Sequence, residues 1–195
     1  MERNQSVRTL VLNFALAAIL ILPSFCWGQT LEPLKDGVSG STNEIERIYN
    51  LTEVAKTVDD YRQIIRRCEK LLKDSIIEND TKYLESLVAW SRNRLGQRHF
   101  LNANSMKKMG LVDRWEEELN NAVEQFDIVI EQHPMTWRSW MGRALIHVEC
   151  KEYSEALEKF LEVNRLNLKN QKSRFNCAEL CFELGQYDRS IEFYD

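Results

Sequence analysis

Few residues in this chain are of types able to do chemistry, and their spacing limits what they can do. Cys177 and Cys181 stand four apart, so one helix face carries both thiols. A zinc site built on that pair needs two further ligands nearby, and no histidine follows it in the chain. Cys68 shares an apolar stripe with Tyr61, Ile64 and Leu71, which suits a thiol packed as a small hydrophobe. Cys150 falls near a helix end and is the cysteine best placed for a disulfide, although no connectivity follows from the sequence. His133 precedes Pro134 at a helix terminus, where a cation suits the dipole. His147 fills a packing position, and His99 lies outside the regular pattern. None of the three is arranged with a serine, aspartate or cysteine as a nucleophile and its base. The chain has no glycine-rich phosphate loop and no paired-histidine zinc helix. Glu116, Glu117 and Glu118 read as a solvated helix face, as do Arg62, Arg66, Lys70 and Lys73. The expectation is a protein that is not an enzyme, with no catalytic, cofactor or metal site. Binding is the chemistry that remains.

A binding surface needs elements to hold it, and composition says which. The chain has 195 residues, of which 44% are hydrophobic and 29% charged, enough to fold around a core. It has only 7 Gly and 3 Pro, whereas a β-rich domain needs turn residues roughly every 8–12 positions, so helices are expected throughout. A formal charge of -4 with mixed signs gives no overall footprint for nucleic acid or anionic lipid.

The first residues read as an address. Arg3 and Arg8 precede an apolar run from Leu10 to Leu22, then Pro23 and the short exit Cys26-Trp27-Gly28. That is the three-part pattern of a secretory signal peptide over 1–28, cleaved near Gly28, which places the mature protein outside the cytoplasm, periplasmic or secreted. A spanning helix needs about 20 apolar residues, so an uncleaved anchor is the weaker reading, and a membrane partner enters only through it. Lipidation of Cys26 is disfavoured by the bulk of Phe25. Residues 29–43, with Pro33, Gly37 and Gly40, read as a flexible lead-in.

The rest of the chain repeats itself at a shift of 34. Ala144 meets Ala178, Tyr153 meets Tyr187, Ala156 meets Ser190 and Phe160 meets Tyr194; one unit earlier, Ala122 and Phe126 meet Ala156 and Phe160. The small residues let two antiparallel helices approach, and an aromatic four residues on fills the space beside them. Lys151-Glu152-Tyr153 and Gly185-Gln186-Tyr187 mark the turns within units, and Pro134 ends a second helix.

These residues resemble the tetratricopeptide repeat (TPR) family, whose 34-residue unit has small residues at positions 8 and 20, aromatics at 4, 17 and 24, and proline at 32. Residues 137–170 are the best copy, with Trp140, Ala144, Tyr153, Ala156 and Phe160 in place; Arg143 and Leu168 depart from it. Residues 171–195 form an incomplete copy that ends inside its second helix, leaving Phe182, Ile191 and Tyr194 partly bare. Val88-Ala89 and Leu95-Gly96-Gln97 match Cys177-Ala178 and Leu184-Gly185-Gln186. This makes 82–136 a unit with about 21 extra residues near 98–118, and 44–81 a degenerate one. Asp113 and Glu116 look like a capping box, and the extra residues read as a lengthened second helix with a short turn. A partner-contacting arm using Phe100, Leu101, Met106 and Met109 is the alternative.

The resemblance implies an all-α α-solenoid of three to four antiparallel hairpins, the last one incomplete, whose first helices line a concave wall. In the family, positions 2, 5, 9, 12 and 13 face the partner. Here those are Tyr83, Ser86, Trp90, Asn93 and Arg94, then Arg138, Met141, Leu145, Val148 and Glu149, then Lys172, Phe175, Glu179, Phe182 and Glu183. Ser86 and Trp90 stand where the family's carboxylate clamp has Lys and Asn, so that clamp is not expected. The implied function is an extracytoplasmic scaffold or adaptor for a protein or peptide partner, with self-association through the uncapped end a further route. Its rivals are a structural module of an envelope complex and the substrate-recruiting part of a larger enzyme.

Overall fold

The computed structural model describes residues 41–74 and 78–194, all helices and short turns within a single unit, Gly37–Asp195. The expected leader, and the lead-in as far as residue 40, lie outside the described residues. Among the described residues eight helices follow one another: α1 (Ser41–Val54), α2 (Val58–Asp74), α3 (Glu78–Lys108), α4 (Val112–Gln132), α5 (Trp137–Glu149), α6 (Tyr153–Leu166), α7 (Gln171–Glu183) and α8 (Tyr187–Tyr194). Each packs on the next, and α3 also touches α5, so successive hairpins stack as an α-solenoid.

Sequence pattern explains each helix locally. In α2, Tyr61, Ile64, Ile65 and Cys68 recur at helical spacing and are all buried. Its start is a reciprocal cap: Thr57 Oγ1 accepts from the Asp60 N–H at 3.2 Å, and Asp60 Oδ2 accepts from the N–H of Thr57 at 2.8 Å and of Lys56 at 2.9 Å. In α4 and α6 the same stripe is written twice, as Ala122, Phe126 and Val129 and as Ala156, Phe160 and Val163, each at most 1% exposed.

The turns repeat as faithfully as the side chains. Within each of the last three hairpins the chain is closed by one left-handed residue, Gly110 (φ 74°), Lys151 (φ 63°) or Gly185 (φ 75°). The next N–H reaches five residues back in every case: Leu111 to Met106 O (3.0 Å), Glu152 to His147 O (2.9 Å) and Gln186 to Cys181 O (2.8 Å). This double-bonded helix end satisfies carbonyls that would otherwise face no donor. Between hairpins, the bond from Thr136 N–H to His133 O recurs 34 residues on as Asn170 N–H to Asn167 O, both 3.0 Å.

The α3/α4 hairpin departs from this plan by length. α3 has 31 residues against 13 in α5, and α4 has 21 against 14 in α6. The turn glycine Gly110 precedes the small residue Ala122 by 12, whereas Lys151 precedes Ala156 by 5 and Gly185 precedes Ser190 by 5. The turn is thus displaced outward by about two helical turns, or ~10 Å. On the other strand of the hairpin the same displacement puts Gly96, not Ala89, in the place of Ala144 and Ala178. The triplet Leu95-Gly96-Gln97, which matches Leu184-Gly185-Gln186 in residue type, is therefore mid-helix rather than at a helix end. Gly96 is needed there because a Cβ would stand 2.9 Å from Cε1 of Phe126, and Gly142 of α5 faces the same ring at 2.4 Å. One phenylalanine is clasped between two glycines of neighbouring hairpins. The extra residues lengthen both helices, the first more than the second, and Asp113 does not cap: α4 starts at Val112 with Leu111 as its cap residue.

Candidate protein-binding surface

The wall residues fall into three groups, set by how α3, α5 and α7 are held. Around α3, Tyr83 is half-buried, and its hydroxyl is pushed up to about 12 by desolvation, with Tyr49 and Cys68 adding to the shift. It therefore packs toward α1 and α2. Trp90 is half-buried and meets Tyr61 edge to face at 5.9 Å, with the Arg94 guanidinium 5.5 Å from the centre of its ring. Arg94 also donates to Gln97 Oε1 at 3.3 Å. Beside them Arg92 spans α2 and α4, with one nitrogen 2.7 Å from Glu69 and the other 3.1 Å from Gln125.

The middle of the wall is closed. Asn93, Met141 and Leu145 are only 1%, 6% and 6% exposed. Asn93 Oδ1 accepts from Ser139 Oγ at 2.8 Å, and Lys107 Nζ meets Glu149 Oε1 at 2.6 Å. These contacts bracket the part of α5 that bears Met141 and Leu145, so α3 runs alongside it. Arg138 stays near the surface, its guanidinium 4.4 Å from the centre of the Trp137 ring.

The wall opens again on α7. Phe175 and Phe182 are 39% and 42% exposed, and each makes an edge-to-face pair with a tyrosine of α8. Phe175 meets Tyr194 at 5.9 Å, and Phe182 meets Tyr187 at 5.4 Å. Tyr194 donates its hydroxyl to Glu179, and desolvation and that carboxylate together push the phenol up to about 12. Lys172 lies exposed one helical turn before Phe175. Three participants in these ring pairs came from outside the wall positions: Tyr61, which reads as pure core, Tyr187, which reads as a turn residue, and Tyr194, which matches the packing aromatic Phe160. All three are aromatic, the one signal that could have singled them out.

The four described cysteines are unpaired; Cys68, Cys177 and Cys181 are buried and Cys150 is exposed. Burial, then the neighbouring Cys181, pushes Cys177 up to about 12, and burial with Glu69 does the same for Cys68. Among the described residues no group of His, Cys, Asp and Glu could hold a metal ion, and no helix is long and apolar enough to cross a membrane.

Stacked antiparallel hairpins with a shared turn and a shared small-and-aromatic stripe define an all-α solenoid of tetratricopeptide-like architecture. Neither a protein-family model nor a curated protein matches the chain. Among solved structures the chain is similar to that of MamA, at 11% sequence identity and a TM-score of 0.41, over 82% of this chain and 92% of that one.

Proposed function

We propose that the chain is a protein-binding scaffold that acts outside the cytoplasm and takes an apolar segment of a protein partner on the α7/α8 end of its wall. The observation that supports this most is the pair of edge-to-face aromatic contacts left open there. Phe175, Phe182, Tyr187 and Tyr194 are 39–59% exposed, so four rings already ordered against each other face solvent. Rigid aromatics lose little entropy on binding and supply most of the energy at protein interfaces. Lys172 and Glu179 add polar contacts beside that apolar floor, and half-buried Trp90 stands further along the wall.

The test is photo-crosslinking. A photoreactive phenylalanine analogue at position 182 should yield a defined adduct in an envelope extract, and Phe175→Glu should abolish it with helicity unchanged. The double variant Trp90→Ala, Phe175→Glu should also lose the partner in affinity capture. Absence of an adduct, or the same adduct from the Phe175→Glu protein, would discard the α7/α8 floor as the binding surface.

A further inference from the structure

The α3/α4 turn is the place where this solenoid breaks its own pattern. The corresponding turns after α5 and α7 are polar at their tips, with Lys151-Glu152 and Gly185-Gln186. Here the tip reads Met109-Gly110-Leu111-Val112, and Met109, Leu111 and Val112 are 70%, 41% and 58% exposed. Surface turns are ordinarily polar, and three adjacent exposed apolar side chains at an apex mark a contact. A Cβ on Gly110 would meet nothing within 4 Å, so the apex stands in open space. Leu111 even occupies the cap position of α4 without a side-chain hydrogen bond, where Ser, Thr, Asp or Asn would hold the helix better.

Charge says what the tip meets. The whole chain carries -4, yet Lys107, Lys108 and Arg114 flank the apex, against Asp113 alone between Met106 and Trp115. Trp115 sits about one helical turn behind Leu111, ~5 Å down the hairpin, with Lys107 Nζ 5.2 Å from its ring centre. Lys107 is held by Glu149, while the chain's next carboxylates, Glu116 and Glu117, belong to the following part of α4. An apolar apex followed by flanking cations matches the order in which a lipid surface presents acyl chains and then anionic headgroups.

We infer that the α3/α4 tip inserts into the surface of a bilayer containing anionic lipid, with Met109, Leu111 and Val112 in the upper acyl region and Lys108 and Arg114 at the headgroups. The two-turn lengthening of the hairpin matches the ~5–10 Å depth at which such elements bury. This contact is independent of the aromatic wall on α7 and α8.

The test uses the full chain with Met109→Cys labelled by an environment-sensitive fluorophore, in a Cys26→Ser, Cys150→Ser background. A second protein carries the label at Lys151→Cys on the polar turn. With vesicles of phosphatidylcholine and phosphatidylserine, the label at 109 should shift to the blue and be quenched by brominated acyl chains. The label at 151 should do neither, which separates tip insertion from any attachment through the apolar residues 10–22. Lys108→Gln with Arg114→Gln should weaken partitioning of the tip about 25-fold, roughly fivefold for each cation. A label at 109 that stays in water on vesicle-bound protein overturns the inference. So does equal insertion into phosphatidylcholine alone, or a shift produced only by a soluble protein and not by vesicles.

Discussion

The clasp of Phe126 between Gly96 and Gly142 makes the sharpest test of how the hairpins are joined. Replacing Gly142 by alanine would put a Cβ 2.4 Å from Cζ, 2.5 Å from Cε2 and 2.6 Å from Cε1 of a ring that is 1% exposed. Carbon atoms rest at about 3.5–4.0 Å, so the ring or α5 must move by about 1 Å. Overpacking of that kind costs ~1–3 kcal/mol. Alanine recovers about 1 kcal/mol of helix propensity over glycine. The net expectation for Gly142→Ala is a loss of about 0–2 kcal/mol, with a smaller loss for Gly96→Ala, whose nearest approach is 2.9 Å. Urea unfolding followed by circular dichroism reads the change as a lower midpoint. In the double variant with Phe126→Leu, the Gly142→Ala penalty should nearly vanish, a coupling of about 1 kcal/mol or more for groups in contact. The reasoning fails if Gly142→Ala raises the midpoint, as at an open helical glycine, or if shrinking Phe126 leaves the penalty intact.

Three further outcomes follow from single residues. Lys151 holds φ 63° where the equivalent turns use glycine, a conformation that costs an L-residue about 1–2 kcal/mol, so Lys151→Gly should add ~0.5–1 kcal/mol of stability, read as a higher urea midpoint. The N–H groups of Lys56 and Thr57 hold the Asp60 carboxyl below its ordinary range. Its contribution to the α2 cap is thus present above the unfolded-chain value and lost as pH falls through the lower folded one. Amide exchange at Lys56 and Thr57, corrected for intrinsic rates, should quicken over that acidic interval, and in Asp60→Asn it should be fast and flat. A thiol reagent followed by mass spectrometry should modify Cys150 first. Cys68, Cys177 and Cys181 should stay protected until unfolding, because burial raises all three and carries the first two to about 12.

What could be read from the sequence was whatever recurs at 34 residues. Ala144 and Ala178, Ala156 and Ser190, and Lys151 and Gly185 occupy equivalent places, and the backbone hydrogen bonds around them repeat with the same spacing. The α3 register was not legible, for a definite reason. Leu95-Gly96-Gln97 copies Leu184-Gly185-Gln186 in residue type, but Gly185 is there for a positive φ and Gly96 for the approach of a ring. A sequence shows that a side chain is missing without showing which of the two needs is met. Asp113 misled for a related reason: the closure at Gly110 fixes where α4 begins, and it begins one residue before the expected capping group. The burial of Met141 and Leu145 depends on how far α3 runs, so it could not be read from α5 alone.

The lengthening itself obeys the geometry of the helix. The displacement is seven residues on each side of the turn, nearly two full turns, and a seven-residue step rotates a helix face by only ~20°. The inward stripe of α3 therefore still faces α4 along the extension, and cross-hairpin contacts persist on both sides of Gly96. Arg92 reaches Gln125 at 3.1 Å, and beyond the glycine His99 Nδ1 lies 2.7 Å from Glu118 Oε2. A step of five residues would have turned the stripe away and exposed Phe100 and Ala103, which are 3% and 0% exposed. The same shift explains the wall. Trp90 and Asn93 remain at the positions that the family resemblance marks as wall positions in the new register, Tyr83, Ser86 and Arg94 leave them, and Gln97, Phe100 and Leu101 take their place. One change in hairpin length thus closes the middle of the wall, sends an apolar turn outward, and leaves the aromatic floor on α7 and α8 as the open stretch of the surface.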